Sequence, residues 1–248
     1  MVEPVPAERL LAMVPEETFR IADCAAADPG VAVPGCPGWD LAALAGHLGL
    51  VQLWVETMVR TGARERLDRT QLGPPPVGPA RVDWLRAGAV RLAATLAAAG
   101  PGRRVWTFAG SDGRSAVWLR RMAHEAQIHR ADAEAATGLS PAFEPWLAAD
   151  GIDEFLQVML PRCYQGGPVP GLRGVLALRC TDSDGAWTVG LGEDAAVVER
   201  GRSDEAECTA TGPAGTVFGF VWNRPIGTAV RLEGDPEVAA AWRRAVRL

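Results

Sequence analysis

The sequence predicts an α+β protein, with an N-terminal four-helix bundle followed by a small C-terminal domain that has a mainly antiparallel sheet. Up to Ala136, apolar residues recur at helical spacing in long segments. Past Pro141 the spacing shortens towards two, and turn sequences such as Asp182-Ser-Asp-Gly185 separate the apolar runs. The 248 residues, 48% of them hydrophobic, are enough for two ordinary domains. We therefore predict domains over residues 1–140 and 141–248.

The predicted N-terminal helices have recognisable start and stop signals. A loop dense in proline and glycine ends the first helix, and Asp40 is a good N-cap for the second. Gly73-Pro-Pro-Pro-Val-Gly-Pro79 predicts an exposed loop, and Gly100-Pro-Gly102 ends the third helix. The predicted helices span about residues 7–27, 40–60, 81–99 and 115–136. Four long helices with one long crossover form a bundle whose core can house a metal site.

The C-terminal part begins with a predicted helix from Glu144 to about Leu160. Strands are then predicted over about residues 175–180, 186–191, 195–199, 206–211 and 228–232. Gly212-Pro213 opens a helix that runs to about Trp222, since proline is favoured in a first turn, and a last helix spans 236–246. This mixture predicts a small α+β domain.

The charge pattern excludes several classes of partner and chemistry. The net charge is −5 and dispersed, so no basic stripe predicts nucleic-acid binding. We find no run of about 18 apolar residues and expect no membrane span. All 25 basic residues are arginine, which excludes Schiff-base chemistry on lysine. No heptad pattern or obvious edge strand predicts an oligomeric state.

The cysteine pattern predicts a cytoplasmic protein. The five cysteines are odd in number and widely spaced, and they form no CxxC motif. That pattern fits a reducing compartment better than a disulfide framework. No cysteine lies near a histidine in the sequence, so nothing supports a cysteine nucleophile.

Two of the three histidines lie in the predicted fourth helix. Glu125 and His129 are four residues apart and share a face, whereas His124 is five residues from His129 and points elsewhere. His47 lies on an apolar face of the predicted second helix. If the two helices pack side by side, two imidazoles and one carboxylate meet, which is the ligand set of a catalytic zinc site with an open position.

A plainer interpretation makes Glu125 a solvated carboxylate and His129 a core histidine with a polar partner. Local spacing favours this view, because glutamate and histidine often stand four apart on helices. A buried His47 needs a partner, however, and a metal ion is one, so the two interpretations stand about even. Asp132, three residues beyond His129, either orients an imidazole or pairs with a surface arginine.

Two motifs resemble signatures of the mycothiol-dependent maleylpyruvate isomerase family, part of the DinB-like metal-dependent four-helix superfamily. Cys36-Pro-Gly-Trp-Asp-Leu-Ala-Ala-Leu-Ala-Gly-His47-Leu is similar to the family's opening signature. Met122-Ala-His-Glu-Ala-Gln-Ile-His-Arg-Ala-Asp132 is similar to its second. Ala148-Ala-Asp-Gly-Ile-Asp-Glu-Phe-Leu156 resembles its inter-domain helix, and Val221-Trp-Asn-Arg-Pro225 resembles the end of its C-terminal domain. The resemblance covers nearly the whole chain.

The resemblance implies a DinB-like bundle, a C-terminal domain like sterol carrier proteins, and a zinc or other divalent ion on His47, Glu125 and His129. It also implies mycothiol as the thiol at the open position, where a metal-bound thiolate adds to an electrophilic small molecule. The product is either a cis–trans isomer, as with maleylpyruvate, or a thiol adduct, as in an S-transferase. Two rival functions remain: a non-catalytic small-molecule binding protein, and a metal-dependent hydrolase that uses a metal-bound water.

The substrate implied by the resemblance is a small anionic electrophile whose carboxylate an arginine holds. Arg224 matches the family's C-terminal arginine best. Arg120 and Arg121 either neutralise such an anion or lie on a solvated helix face. The proline-rich loop over residues 61–80 matches no family feature, and substrate specificity is one role that it can have.

Overall fold

The computed structural model describes residues 5–108, 110, 112–203 and 205–246. The fold divides into two compact units. One spans Val5–Pro141, and the other takes in the described residues from Ala142 onward. The first unit is helical and the second carries the sheet, so the predicted α+β class is confirmed.

Four long helices build the first unit, and each contacts the other three. They are α1 (Ala7–Ala27), α2 (Leu41–Thr61), α3 (Ala80–Ala99) and α4 (Ser115–Ala136). The helices predicted from the sequence are confirmed to within one residue at each end. The loop between α2 and α3 adds a 3₁₀ turn, Arg69–Leu72, that the sequence pattern did not predict.

Helix α2 is largely buried because its sequence is apolar, and small residues allow close contact with neighbouring segments. Its N-terminus is capped by Asp40, whose carboxylate accepts a 2.7 Å hydrogen bond from the Ala43 N–H. Gly49 admits the Trp84 ring of α3, since a Cβ there would lie 2.1 Å from the indole. By length and composition α2 is also apolar enough to cross a membrane, although its sequence holds no unbroken run of about 18 apolar residues. However, 67% of that stretch is buried in the structure, as in the core helix of a globular domain.

The second unit is a five-stranded sheet with helices before, between and after its strands. The order along the sheet is β3-β2-β1-β4-β5, and only the β1–β4 pair is parallel. The strands are β1 (Gly174–Cys180), β2 (Ala186–Leu191), β3 (Ala196–Arg200), β4 (Cys208–Gly212) and β5 (Arg231–Gly234). The helices are α5 (Pro145–Glu154), α6 (Leu160–Cys163), α7 (Ala214–Val221) and α8 (Pro236–Ala245).

Two elements of this unit differ from the prediction. The helix predicted from Glu144 to Leu160 is interrupted by a π-helical turn, Phe155–Met159, between α5 and α6. Strand β5 begins three residues later than predicted, because pairing with β4 sets its limits at Arg231 and Gly234. The register between β2 and β3 places Trp187 opposite Arg200, and both side chains donate to the buried Asp153 carboxylate of α5.

Candidate metal centre

The structure brings His47, Glu125 and His129 together between α2 and α4. One ligand atom from each residue lies within 4.8 Å of the other two. Oε1 of Glu125 is 3.4 Å from Nε2 of His47 and 3.5 Å from Nε2 of His129. His47 is less buried than predicted, since 32% of its side chain is exposed, compared with 6% for His129. The cluster is therefore most accessible on the His47 side.

The spacing of these atoms fits a divalent ion. Zinc binds histidine nitrogen and carboxylate oxygen at about 2.1 Å, so tetrahedral ligands stand about 3.4 Å apart. The measured separations of 3.4 and 3.5 Å between Glu125 and the two imidazoles have this value. Two imidazoles and one carboxylate also leave a fourth position for an exogenous ligand, as in catalytic zinc sites.

Arg121 keeps Glu125 anionic. Burial raises the pKa of Glu125, but the Arg121 cation and the hydrogen bonds from His129 and His47 together outweigh burial and hold it well below its ordinary range. The Arg121 guanidinium lies one turn before Glu125 and donates to Oε2 at 2.9 Å. Its side chain is almost fully buried, so the interpretation of Arg121 as part of a solvated helix face is wrong. Oε1, the other oxygen, faces the two histidines.

Asp132 orients His129 from the side opposite the cluster. Its Oδ2 lies 3.1 Å from Nδ1 of His129, which leaves Nε2 directed towards Glu125. A carboxylate that accepts from one imidazole nitrogen sets the tautomer in which the other nitrogen binds a metal. Asp132 is buried, so of the two alternatives drawn from the sequence the orienting role fits and the surface ion pair does not.

Cys36 also contacts this group, which sequence spacing did not reveal. Its thiol donates to Oδ2 of Asp132 over 3.5 Å, and together with His129 these residues form a second, fully buried set of possible ligands. The loop that carries Cys36 is closed by a backbone hydrogen bond in which the Val33 N–H donates to the Trp39 carbonyl at 2.9 Å. The same loop places the Trp39 ring 4.7 Å from the His47 ring. The Cys-Pro-Gly-Trp segment thus contacts both histidines of the cluster.

His124 does not belong to the cluster. It is fully buried, and its Nδ1 lies 3.2 Å from the amide oxygen of Gln127 on the same helix. The sequence-based choice of Glu125 and His129 over His124 follows the helix geometry, because consecutive residues on a helix point about 100° apart. His124 is therefore a suitable matched control for substitutions of the other two histidines.

Replacing Asp132 with asparagine is expected to weaken zinc binding about 10–100-fold, because the charge that fixes His129 is lost. Competition with a chromophoric chelator measures this affinity. Cys36→Ser is the matched control, because a hydroxyl still donates to Asp132 and we expect a change of less than about threefold. Equal zinc affinities in Asp132→Asn and the parent protein would contradict the orienting role.

Zinc binding to the metal-free protein is expected to release a proton from His129 at neutral pH. Burial lowers the pKa of His129, but hydrogen bonds with Asp132, Cys36 and Glu125 outweigh it and raise that pKa well above the ordinary value. The proton stabilises the metal-free fold below about pH 6.5, and this contribution is lost as the pH rises through the raised pKa. Zinc needs the neutral imidazole, so affinity falls about tenfold per pH unit below that pKa. Calorimetry in buffers of different ionisation enthalpy counts the released protons, and none at pH 7 would refute the shift.

Arg224, the remaining site residue predicted from the sequence, lies in the second unit just after α7. Its backbone N–H donates to the Gly219 carbonyl at 2.8 Å, and the preceding Asn223 has a left-handed φ of 54°. Within this unit Arg224 is half-buried and lines a cavity of about 380 Å³ with Asn223 and Arg243. Its role in binding a substrate stays a prediction.

Comparisons with known proteins agree with the resemblance seen in the motifs. Residues 16–134 match the family model described as the mycothiol maleylpyruvate isomerase N-terminal domain. The fold is similar to a crystal structure of the mycothiol-dependent maleylpyruvate isomerase, with a TM-score of 0.59 and 16% identity over 92% of this chain and 93% of that one. A histidine-to-alanine mutant of that isomerase matches with a TM-score of 0.58, 16% identity and the same coverage. No curated protein matches the sequence.

The match to the family model contains all three candidate ligands, as well as Cys36 and Asp132. It covers most of the helical unit, from the middle of α1 to the end of α4. At 16% identity, the likeness to the solved structures shows the fold of the chain. Residues 16–134 are therefore identified as a mycothiol maleylpyruvate isomerase N-terminal domain, and the fold of the chain is similar to that of the solved isomerase.

Proposed function

We propose that the chain is a cytoplasmic, mycothiol-dependent enzyme that holds a divalent metal ion, most favourably zinc, on His47, Glu125 and His129. The observation that carries this proposal is the convergence of the three ligand atoms, with tetrahedral spacing, inside the domain that matches the family. When bound, the metal acts as a Lewis acid that lowers the pKa of a thiol ligand and so makes it nucleophilic near neutral pH.

The chain's own residues prepare the site in three ways. Arg121 holds the Glu125 carboxylate in its charged form. Asp132 fixes the ring of His129 from behind. The Trp39 ring packs against His47, the most accessible of the three ligands, and restricts its orientation. Ligands held in this way lose little entropy when they bind a metal, which favours a preorganised site.

The nucleophile in this proposal comes from mycothiol rather than from the protein. Cys36 is buried and its thiol donates a hydrogen bond to Asp132, so we assign it a structural role. The substrate is an electrophile with a cis double bond, as in maleylpyruvate. Reversible addition of the thiol permits rotation about the carbon–carbon bond, and elimination then returns the thiol with the trans product. An S-transferase stops at the adduct. Arg224 is the proposed C-terminal partner for a substrate carboxylate.

The helical unit and the sheet unit are consistent with the DinB-like bundle and the sterol-carrier-like domain that the resemblance implies. The helices α1 to α4 contact one another pairwise, and the candidate ligands project inward from two of them. Such placement of ligands on facing helices is how bundles hold metal ions. We therefore propose a DinB-like bundle for the first unit and a sterol-carrier-like domain for the second.

The test is an assay of the metal-replete protein with maleylpyruvate and a panel of electrophiles, with and without mycothiol, followed by mass spectrometry. A trans product without thiol consumption identifies an isomerase, and a stable adduct identifies an S-transferase. Turnover that is independent of thiol would instead support a metal-dependent hydrolase. A protein that retains no metal and turns over nothing would leave the non-catalytic binding protein as the better interpretation.

A further inference from the structure

The proline-rich loop between α2 and α3 runs back along α2. Near its start, the Trp54 indole N–H donates a 2.8 Å hydrogen bond to the Leu67 carbonyl. Further on, the Pro75 ring packs on Gly46, where an added Cβ would lie 3.3 Å from the proline Cγ. Because Gly46 and Trp54 are about two turns apart on α2, the loop follows the stretch of helix that carries His47.

Arg69 lies between these two anchors of the loop. Its guanidinium is 4.2 Å from the centre of the Trp54 ring. The 3₁₀ turn that holds it is capped by Asp68, which accepts a 2.9 Å hydrogen bond from the Thr70 N–H. His47 and Trp54 are seven residues apart and share a face of α2, about 10 Å apart along its axis. The loop thus fixes a cation within a short distance of the candidate metal centre.

The charge of Arg69 has no carboxylate partner in the described part of the chain, where none comes within ion-pairing distance of it. The indole covers one face of the guanidinium, so its N–H groups remain available at the edges for a planar anion. Burial lowers the pKa of Arg69 and attraction by Glu125 opposes that effect. Arg69 is nevertheless exposed to solvent overall and remains charged at neutral pH, so an anion can reach it.

We propose that Arg69, held on Trp54, binds a carboxylate of the electrophile and makes the enzyme select anionic substrates. This inference rests on the proposed function and assigns a role to the proline-rich loop. A guanidinium fixed by cation–π contact loses little side-chain entropy when it pairs with a carboxylate through two hydrogen bonds. The competing interpretation is that Arg69 only covers the buried Trp54 ring. That role needs the side chain but no anion.

The experiment uses the full-length, metal-replete chain and two probes, maleate and its neutral dimethyl ester. Calorimetry measures maleate binding, and thiol-dependent isomerisation of dimethyl maleate measures turnover without a substrate charge. Arg69→Gln is expected to weaken maleate binding about 10–100-fold and to change turnover of the ester by less than about twofold. Arg69→Lys should retain part of the maleate affinity. Arg66→Gln is the matched control, because it removes the same charge from the same loop and is expected to change binding by less than about twofold.

Maleate binding tests the role of Arg69, and thiol-dependent turnover tests the proposed function, so the two can fail independently. Maleate binding that depends on Arg69 but not on Arg66 supports the anion site, even if no thiol-dependent turnover is found. Equal weakening in both variants would reduce the effect to net charge and overturn the inference. Maleate affinity that is unchanged in Arg69→Gln, or absent in the parent protein, would also overturn it. In that case thiol-dependent turnover of the ester would still support the proposed enzyme.

Discussion

Replacing His47 with glutamine is expected to abolish stoichiometric zinc binding and to lower thiol-dependent turnover by at least about 10³-fold. His47 is one of the three proposed ligands of the cluster, and its Nε2 lies 3.4 Å from Oε1 of Glu125. Two remaining ligands form a much weaker site, because a catalytic zinc ion normally needs three from the protein. Metal content after dialysis and turnover at saturating mycothiol measure the two effects. The His129→Gln variant should lose zinc and turnover to a similar extent, because it removes the second imidazole.

The control for these variants is His124→Gln, which makes the same chemical change beside Glu125. His124 is buried and pairs with Gln127 rather than with the cluster. This variant should therefore keep its zinc and most of its turnover, with any loss appearing as reduced stability. If His47→Gln binds zinc as tightly as the parent, or if His124→Gln loses zinc equally, the assignment of the ligands is wrong. Circular dichroism of each variant confirms that the helices are retained.

The sequence predicts the positions of those site residues that depend only on helix periodicity. The spacing of Glu125 and His129 requires only that α4 be a helix, and an apolar pattern of three helical turns or more specifies that reliably. The position of His47 followed from a second helix with a clear N-cap at Asp40. Their convergence needed one further step, the packing of α2 against α4, and the family resemblance supplied the reason to expect it.

The sequence does not predict the contacts of residues that loops carry, such as Cys36 and Arg69. Cys36 was set aside because it is far from every histidine in sequence, yet the closed loop at Val33–Trp39 brings its thiol to Asp132. Nothing in the sequence distinguishes Arg69 from the other arginines of the loop, because only the tertiary structure places its guanidinium over the Trp54 ring. No periodic pattern encodes such contacts, since they depend on turns and on tertiary hydrogen bonds.

In the C-terminal sheet, buried strands were predicted more accurately from the sequence than the exposed strand β5. The alternation of apolar residues predicted β1 and β2 closely, because both strands are largely buried. All residues of β5 are exposed, and its limits are set by its pairing with β4 rather than by a hydrophobic pattern. A strand with no buried face carries little sequence signal, which explains the shift of three residues at its start.

Arg130→Met is expected to lower the free energy of unfolding by about 3–5 kcal/mol, the largest stability effect we predict. The Arg130 side chain is only 2% exposed and joins α1 to α4, since it donates to Glu17 at 2.6 Å and to Glu134 at 2.8 Å. Burial lowers its pKa, but the two carboxylates outweigh burial and raise it. Methionine fills similar space, and it leaves the two carboxylates without their shared partner in a poorly hydrated site.

Two further variants separate the loss of charge balance from the loss of packing. Arg20→Met removes an exposed partner of the same Glu134 and should cost less than about 1 kcal/mol, because exposed ion pairs contribute little. Adding Glu17→Gln and Glu134→Gln to Arg130→Met should recover part of the stability, since no uncompensated buried charge then remains. Urea denaturation of the full chain measures all three. If Arg130→Met lowers the free energy of unfolding no more than Arg20→Met does, the buried ion pairs do not hold α4 against α1. The position of Glu125 and His129 on α4 would then depend on other contacts.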